Sequence, residues 1–260
     1  MTEILSVKQL TRNFGGLAAV SNVSMHLTQG ELVGLIGPNG AGKTTVFNLL
    51  SGIYPPSSGT ITFTRGEKVR ELGGRKPHSI CRAGVGRTFQ NIRLFKDLTV
   101  LDNVSIALQP NEPNSLLASF LHLPSHQSAE VRIREQSLEL LDIVHLRDKA
   151  GELARNLSYG EQRHLEIARA LATRPTLLLL DEPAAGMNPA ETSGLTDLIA
   201  WVRKEFDLTV LLIEHDMSLV MRICERIYVL DHGIVIASGT PTEVQANPKV
   251  IEAYLGEEVD

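Results

Sequence analysis

The fold of this chain is decided by the segment Gly37-Pro38-Asn39-Gly40-Ala41-Gly42-Lys43-Thr44. It fits the pattern G-x-x-x-x-G-K-[ST], in which glycines let a loop fold tightly enough for several backbone N–H groups to point at one anion. The apolar run Leu32–Ile36 before it is typical of a buried strand, and residues 45–50 after it are typical of a helix. A strand, a glycine-rich loop and a helix in this order predict a phosphate-binding loop.

The same loop carries the side chains that phosphate chemistry requires. Lys43 can reach the β- and γ-phosphates, and the start of the following helix adds a partial positive charge. The hydroxyl of Thr44 can bind Mg²⁺. We therefore predict that the chain binds a nucleoside triphosphate with Mg²⁺. The predicted contacts are Gly37, Pro38, Asn39, Gly40, Ala41, Gly42, Lys43, Thr44 and Thr45.

Composition limits the classes of function. The 260 residues allow one large domain or two small ones, and the net charge of -5 provides no overall basic field for nucleic acid. The two cysteines, Cys81 and Cys224, match no metal-binding spacing and are typical of reduced thiols in a cytosolic protein. No signal peptide is predicted, and the longest purely apolar stretches fall far short of the ~20 residues that span a bilayer. A function at a membrane would require docking on another polypeptide.

A second motif consists of four leucines followed by Asp181 and Glu182. A continuous apolar run predicts a buried parallel strand, and such sheets bind ligands at the carboxyl ends of their strands. Asp181 is therefore predicted to hold Mg²⁺ beside the phosphate-binding loop, directly or through water. Glu182 is predicted to polarise an attacking water as the general base. The alternative is a strand that ends in two solvated acids.

A third motif, Leu-Ser-Tyr-Gly-Glu-Gln at residues 157–162, opens a predicted helix. Ser158 is a good N-cap residue, and Gly160 would let the backbone approach a ligand closely. This helix start could bind a second anion. By itself, however, the pattern is more typical of an ordinary capped helix.

The pattern of the whole chain predicts an α/β protein with an inserted helical part. Strands are predicted at residues 4–10 and 20–27, forming a small antiparallel sheet, and a strand at 85–90 ends on Gln90. Residues 65–79 are predicted to be an exposed loop. From residue 91 the pattern becomes helical, beginning at a cap of the form Thr-x-x-Asp at Thr99.

The motifs, together with Gln90 and His215, occur in an order that resembles the ATP-binding subunit of an ABC transporter. The resemblance covers nearly the whole chain and implies a P-loop NTPase core of the RecA-like type, with a small antiparallel β subdomain, an inserted helical subdomain and a short helical tail. It implies one ATP-binding domain and a tail, with the bounds 1–239 (core 1–90 and 158–239, helical insert 91–157) and 240–260.

The resemblance also implies roles for these residues. It implies a head-to-tail dimer, in which Ser158, Gly160 and Glu161 of one subunit act on the γ-phosphate bound by the other. His215 would be the switch histidine that contacts the γ-phosphate near Glu182, although a lone histidine is more often structural or solvated.

Two further roles come from the same resemblance. Gln90 would sense Mg²⁺ and the attacking water, and Phe14 would stack on adenine, with a core phenylalanine as the alternative. The family signature at residues 157–162 usually reads Leu-Ser-Gly-Gly-Gln, and Tyr159 and the extra Glu161 are variations that the family tolerates. One position departs from the family pattern: Asn188 replaces an aspartate, keeping hydrogen-bonding capacity but losing the charge.

Several local runs are similar to the ATPases of branched-chain amino acid importers, and most similar to the first of the two. They lie at residues 12–17, 87–95, 109–130, 181–188 and 253–256. This similarity implies transmembrane permease subunits, a second ATP-binding subunit and, indirectly, a solute-binding protein as partners, at the cytoplasmic face of the membrane. It implies no nucleic-acid partner. It also places Arg93, Leu94 and Phe95 in a groove that docks the permease, with ordinary core packing as the alternative for Leu94 and Phe95.

The alternatives are the ATPase of a urea importer or of a lipopolysaccharide exporter, and a soluble ABC ATPase of iron–sulfur assembly, translation or DNA repair. A small-molecule kinase would have no use for the motif at Ser158.

Overall fold

The computed structural model describes residues 2–109 and 124–255. The described chain forms two compact units, the first made of residues up to 90 and from 176 onward, and the second of residues 91–175. The elements of the first unit are β1 (Glu3–Phe14), β2 (Leu17–Thr28), β3 (Leu32–Ile36), α1 (Lys43–Leu50), β4 (Ser58–Arg65), β5 (Lys68–Glu71), α2 (Pro77–Ala83), β6 (Val85–Arg87), β7 (Leu177–Asp181), α6 (Pro189–Glu205), β8 (Thr209–Ile213), α7 (Met217–Ile223), β9 (Arg226–Asp231), β10 (Ile234–Gly239), α8 (Pro241–Gln245) and α9 (Pro248–Leu255). Those of the second unit are α3 (Val100–Leu108), α4 (Pro124–Ile143) and α5 (Tyr159–Ala172), with two 3-10 turns, Arg147–Lys149 and Ala154–Asn156.

The first unit contains two sheets. The larger has the strand order β10-β9-β3-β8-β7-β6, and its strands are parallel except for β10, which pairs antiparallel with β9. Strands β3, β7 and β8 are buried along their whole length, as their continuous apolar sequences predict. The smaller sheet, of order β2-β1-β4-β5, is antiparallel. The predicted α/β fold with a small antiparallel sheet is therefore confirmed.

The prediction of a loop over residues 65–79 is wrong. Strand β5 lies there and pairs with β4 across the two-residue turn Gly66-Glu67, and α2 begins at Pro77. Strand β5 has the sequence Lys-Val-Arg-Glu, and all four of its residues are exposed. A strand without a buried face shows no alternation of apolar and polar residues, which is the pattern by which strands are recognised. The strand predicted to end on Gln90 is also shorter, because β6 ends at Arg87.

The second unit is a cluster of helices. Its boundary differs from the predicted insert, which ended at residue 157, because α5 packs with α3 and α4. Thr99 caps α3 and accepts a hydrogen bond from the Asp102 amide, as the sequence pattern predicts. Most of the leucine-rich stretch noted in residues 109–130 lies outside the described residues, as does the end of the tail from residue 256.

No helix within residues 2–109 and 124–255 is both long and apolar enough to cross a membrane. Both cysteines are free thiols. Burial raises the pKa of Cys224 to about 12, which suppresses the reactive thiolate at neutral pH.

Candidate active site

Four neighbouring parallel strands deliver the predicted site residues of the first unit. Strand β3 lies between β9 and β8, and β7 and β6 follow in order. Because the strands are parallel, their carboxyl ends meet at one edge of the sheet. The groups that emerge there are the loop 37–44 after β3, His215 after β8, Asp181 and Glu182 at the end of β7, and Gln90 beyond β6.

Glycine is required at two positions of the phosphate-binding loop. Gly37 has a φ of 147°, and a Cβ there would lie 1.9 Å from the carbonyl oxygen of Leu230. Gly42 has a φ of 100°, and its Cβ would lie 2.5 Å from the carbonyl oxygen of Ala19. Helix α1 begins directly afterwards, at Lys43, so its free N–H groups face the loop. The predicted strand, loop and helix are confirmed.

The ammonium group of Lys43 is held against the loop. Its Nζ donates to the carbonyl oxygens of Gly37 and Pro38 at 2.6 and 2.7 Å, and the residue is 5% exposed. A buried ammonium is weakly screened by water, so its attraction for a phosphate is stronger than it would be at the surface.

A cleft of about 310 Å³ opens at this edge of the sheet. Its wall combines the loop with the three side chains that were predicted to act on the γ-phosphate or the water. The lining residues are Asn39, Gly40, Ala41, Gly42, Lys43, Thr44, Thr45, Gln90, Glu182 and His215. The structure thus brings the predicted loop, base, sensor and switch residues to one cavity.

Glu182 is held at the cleft by two side chains. Its Oε1 lies 2.8 Å from His215 Nε2, and its Oε2 accepts a hydrogen bond from Gln90 Nε2 at 2.7 Å. Its backbone has a φ of 46°, a left-handed conformation that costs a glutamate on the order of 1–3 kcal/mol. This turn takes the chain out of β7, and both carboxylate oxygens are fixed. Such an orientation suits a general base.

The histidine beside Glu182 is not an isolated surface residue. The His215 side chain is 46% exposed, yet its Nε2 contacts the carboxylate, so the proton of a neutral imidazole resides on Nε2. The ring thus lies at the edge of the cleft, in contact with the predicted base. Its role toward the γ-phosphate stays a prediction.

Glu214 is a buried carboxylate that the sequence analysis missed. Its two oxygens accept hydrogen bonds from the amides of Ala184 and His215, at 2.7 and 3.1 Å. It thereby ties the segment after Glu182 to the segment that carries His215. The available signal was an acid that directly follows a buried strand, the same pattern that identified Asp181.

The Glu214→Gln variant should reveal the titration of this group. Burial raises the pKa of Glu214 above the ordinary 4.5, despite the opposing amide hydrogen bonds. The folded protein therefore binds the Glu214 proton more tightly than the unfolded chain does. The stabilisation that this proton contributes is complete below pH 4.5 and is lost as the pH rises through the raised pKa of Glu214. The difference between the free energies of unfolding, Glu214→Gln minus wild type, should therefore increase as the pH rises over that range. Urea titrations at a series of pH values measure it, and a difference that is independent of pH would contradict the assignment.

Asp181 is buried and paired with Arg87. Its Oδ2 lies 2.8 Å from Arg87 Nη2, and the aspartate side chain is 2% exposed. Within the described residues, no cluster of three or more His, Cys, Asp or Glu side chains could hold a metal ion. Mg²⁺ in nucleotide sites needs only one or two carboxylates beside the phosphates, and the predicted donors of Thr44, Gln90 and Asp181 are the oxygens it prefers. The donor set therefore fits Mg²⁺.

The motif at Ser158 lies in the second unit. Ser158 caps α5 in a capping box: its Oγ accepts from the Glu161 amide at 3.4 Å, and Glu161 Oε2 accepts from the Ser158 amide at 2.9 Å. Glu161 Oε1 also pairs with Lys149 at 2.6 Å, and the hydrogen bond from Lys149 lowers the pKa of Glu161. The Glu161 carboxylate is thus engaged within its own unit, while Ser158 and Tyr159 are exposed.

Phe14 lies at the end of β1 and outside the cleft lining. It is 40% exposed, which argues against a core phenylalanine, and its ring packs edge-on against Tyr54 at 5.2 Å. The Arg12 guanidinium lies 4.7 Å from its ring centroid. A partly exposed aromatic cluster is compatible with base stacking, which stays a prediction.

Asn188 has a clear structural role. Its Oδ1 accepts hydrogen bonds from the amides of Ala190 and Glu191, both at 3.0 Å, and caps α6. Asparagine and aspartate are similarly good N-caps, so the loss of charge leaves the helix start intact.

Known proteins resemble this chain along nearly all of its length. The ABC transporter family profile matches residues 20–185, and a profile described as a branched-chain amino acid ATP-binding cassette transporter matches residues 235–260. The high-affinity branched-chain amino acid transport ATP-binding protein LivG of Salmonella typhimurium is 49% identical, with 98% of each chain covered. The lipopolysaccharide export system ATP-binding protein LptB of Escherichia coli K12 is 37% identical over the same shares.

Solved structures of ABC transporter cassettes also resemble this chain. MJ1267, an ATP-binding cassette of an ABC transporter in its ADP conformation, superposes with a TM-score of 0.83 at 28% identity, covering 98% of this chain and 100% of that one. MJ0796, a bacterial ABC transporter cassette whose structure is dimeric, has a TM-score of 0.77 at 25% identity, covering 92% and 99%. The phosphate-binding loop, the carboxylates at the end of β7 and these similarities together show that the chain belongs to the ABC transporter family, as a nucleotide-binding ATPase subunit.

Proposed function

We propose that this chain powers the import of branched-chain amino acids by hydrolysing MgATP in the cleft described above. The observation that carries the catalytic part is Glu182, fixed by Gln90 and His215 beside the phosphate-binding loop. The substrate class rests on two similarities. The chain is 49% identical to LivG but 37% identical to LptB, and residues 235–260 match the profile of the branched-chain amino acid ATP-binding cassette transporters.

The chemistry follows from the arrangement of groups. The loop amides and Lys43 bind the phosphates, and Glu182 accepts a proton from the water whose oxygen attacks the γ-phosphorus. The bond from the γ-phosphorus to the bridging oxygen breaks, and ADP and phosphate leave. Gln90 and His215 keep the Glu182 carboxylate oriented throughout. When bound, Mg²⁺ supplies charge neutralisation at the phosphates, with Thr44, Asp181 and Gln90 as the residues that would hold it.

A second ATP-binding subunit completes the site in this proposal. The dimeric MJ0796 cassette supports such an arrangement. Ser158 and Tyr159 at the start of α5 are exposed, whereas Gly160 is buried. The Ser158 hydroxyl and the amides of a helix start are the kind of donors that bind an anion. Ser158, Gly160 and Glu161 would thus act on the nucleotide of the other subunit, Ser158 and Gly160 through direct contact and Glu161 by shaping the capping box.

The permease docks, in this proposal, on the segment that follows Gln90, at the cytoplasmic face of the membrane. Phe95 is 46% exposed, and the Arg169 guanidinium stacks 4.9 Å from its ring centroid. Asn103 exchanges hydrogen bonds with the backbone of Phe95 at 3.0 Å in both directions, and Arg169 donates to the carbonyl oxygen of Arg93. Side chains that become buried at the centre of an interface contribute most of the binding energy, and the exposed Phe95 ring on its fixed backbone is available for such burial.

Phe95→Ala should therefore release the permease. We expect at least about a tenfold weaker association, because a buried aromatic anchor contributes about 2 kcal/mol or more at an interface. ATP binding by the separate subunit should not change. Co-purification with the transmembrane subunits and a solute-binding protein measures the loss. Trp201→Ala is the matched control, since Trp201 is 47% exposed but lies on α6 of the other unit. Equal association of the two variants would contradict the docking site.

The transport assignment has its own test. The complex purified with its native permease should show ATP hydrolysis that increases when a branched-chain amino acid and the solute-binding protein are added. Stimulation by lipopolysaccharide or urea instead would favour the alternative transporters, and co-purification with ribosomes or nucleic acid would favour a soluble ABC ATPase.

A further inference from the structure

Arg87 joins three parts of the first unit. Its side chain is 6% exposed, and its Nη2 pairs with Asp181 Oδ2 at 2.8 Å. Its Nη1 donates to Asn48 Oδ1 at 2.9 Å and to Ser51 Oγ at 2.6 Å. Asn48 lies in α1, the helix that begins at the phosphate-binding loop, and Ser51 is the C-cap of that helix. One guanidinium thus connects that helix to the carboxylate at the end of β7.

The guanidinium is fixed from several sides. It lies 4.8 Å from the ring centroid of Phe89 and 5.6 Å from that of Phe47. The next residue, Thr88, donates its amide to the Leu179 carbonyl at 3.0 Å, and its hydroxyl accepts from the Asp181 amide at 3.4 Å. The backbone and side chain around Arg87 therefore hold Asp181 at two points.

Arg87 is also the last residue of β6, three residues before Gln90. The chain from Arg87 to Gln90 is short, so a change in the position of the Asp181 carboxylate reaches the contact between Gln90 and Glu182 through few bonds.

We propose that Arg87 is a positioning residue that sets the orientation of the Asp181 carboxylate toward Mg²⁺ and anchors the segment bearing Gln90. This inference rests on the proposed function, in which Asp181 holds Mg²⁺. Groups that orient the ligands of a metal affect its affinity strongly, although they do not touch it. Arginine suits the task because its planar fork can bind Asp181, Asn48 and Ser51 at once, whereas lysine offers a single point charge.

The test compares Arg87→Lys with the wild type, using the full chain. We expect the Mg²⁺ concentration for half-maximal ATP hydrolysis to rise about tenfold or more, as for other groups that orient metal ligands. The affinity for a fluorescent ATP analogue should be unchanged in EDTA, but the gain in affinity on adding Mg²⁺ should shrink by a similar factor. The second readout is independent of hydrolysis.

The control is Arg226→Lys, which alters another ion pair of the first unit. Arg226 binds Glu31 through both guanidinium branches, with Nε 2.7 Å from Oε1 and Nη2 2.8 Å from Oε2. This variant should lose thermal stability with no change in Mg²⁺ dependence. A wild-type Mg²⁺ requirement in Arg87→Lys, or an equal loss of ATP affinity with and without Mg²⁺, would overturn the proposal. A wild-type protein that hydrolyses ATP without Mg²⁺ would instead overturn the proposed metal site itself.

Discussion

Replacing Glu182 by glutamine should lower the steady-state rate of ATP hydrolysis by roughly 10²–10⁴-fold, the usual contribution of general acid–base catalysis. Glutamine has nearly the same shape as glutamate and can still accept a hydrogen bond from Gln90 or His215 at this site. It cannot take a proton from the attacking water at neutral pH. ATP binding should persist, since the phosphates are bound by the loop and by Lys43.

The matched control for this variant is Glu225→Gln. Glu225 is 51% exposed and pairs with Arg203 away from the cleft, so the same chemical change there should leave hydrolysis unaffected. If Glu182→Gln and Glu225→Gln hydrolysed ATP at equal rates, Glu182 would not be the base. Binding of an ATP analogue, measured in parallel, separates loss of chemistry from loss of the nucleotide.

Replacing Ser158 by aspartate should reduce hydrolysis by the assembled transporter by about 100-fold or more, comparable to the loss of one essential donor to a reacting anion. Aspartate is as good an N-cap as serine and favours a helix start, so α5 should remain folded. In the proposed dimer its negative charge would face the γ-phosphate of the partner and oppose closure. ATP binding by the isolated chain should therefore be retained while turnover in the complex falls.

Ser158→Asn is the matched control, because it also caps the helix but carries no charge. Its hydrolysis should lie well above that of Ser158→Asp, with the same thermal stability. Equal, wild-type hydrolysis by both variants would show that Ser158 has only the structural role of a cap. That outcome would leave Glu182 as the base, but the motif at residues 157–162 would no longer be part of the proposed nucleotide site.

Much of the core could be predicted because each of its signals is local. The phosphate-binding loop needs glycines at positions where positive φ or a close carbonyl leaves no room for a Cβ, as at Gly37 and Gly42. The buried strands β7 and β8 contain the continuous apolar runs 177–180 and 210–213, and an acid directly follows each run. These patterns give the strand, the loop and the order of the acids without knowledge of tertiary contacts.

The contacts among the site residues could not be predicted from local sequence patterns. The pairing of Glu182 with Gln90 and His215 depends on the order of β6, β7 and β8 in the sheet, and on a left-handed backbone at Glu182. Sequence patterns suggest neither. The partner of Asp181 is Arg87, 94 positions earlier in the chain, and the exposed strand β5 had no apolar alternation to mark it.

The unit to which α5 belongs also depends on contacts between distant residues. The sequence pattern of α5 shows a capped amphipathic helix but not the surface on which it packs. In the structure its buried Arg163 pairs with Glu166 at 3.2 Å, and Glu166 accepts from the Arg93 amide at 3.3 Å. Those contacts bind the helix to the second unit, and no local sequence pattern predicts them.

The nucleotide bound to Glu182→Gln tests the central claim most directly. The complex of this variant with its permease is incubated with MgATP, freed of unbound nucleotide by gel filtration, and its bound nucleotide is identified by chromatography. If Glu182 is the general base at the phosphate-binding loop, the variant retains intact ATP while the wild type yields ADP. Bound ADP in the variant, at the wild-type level, would contradict the account.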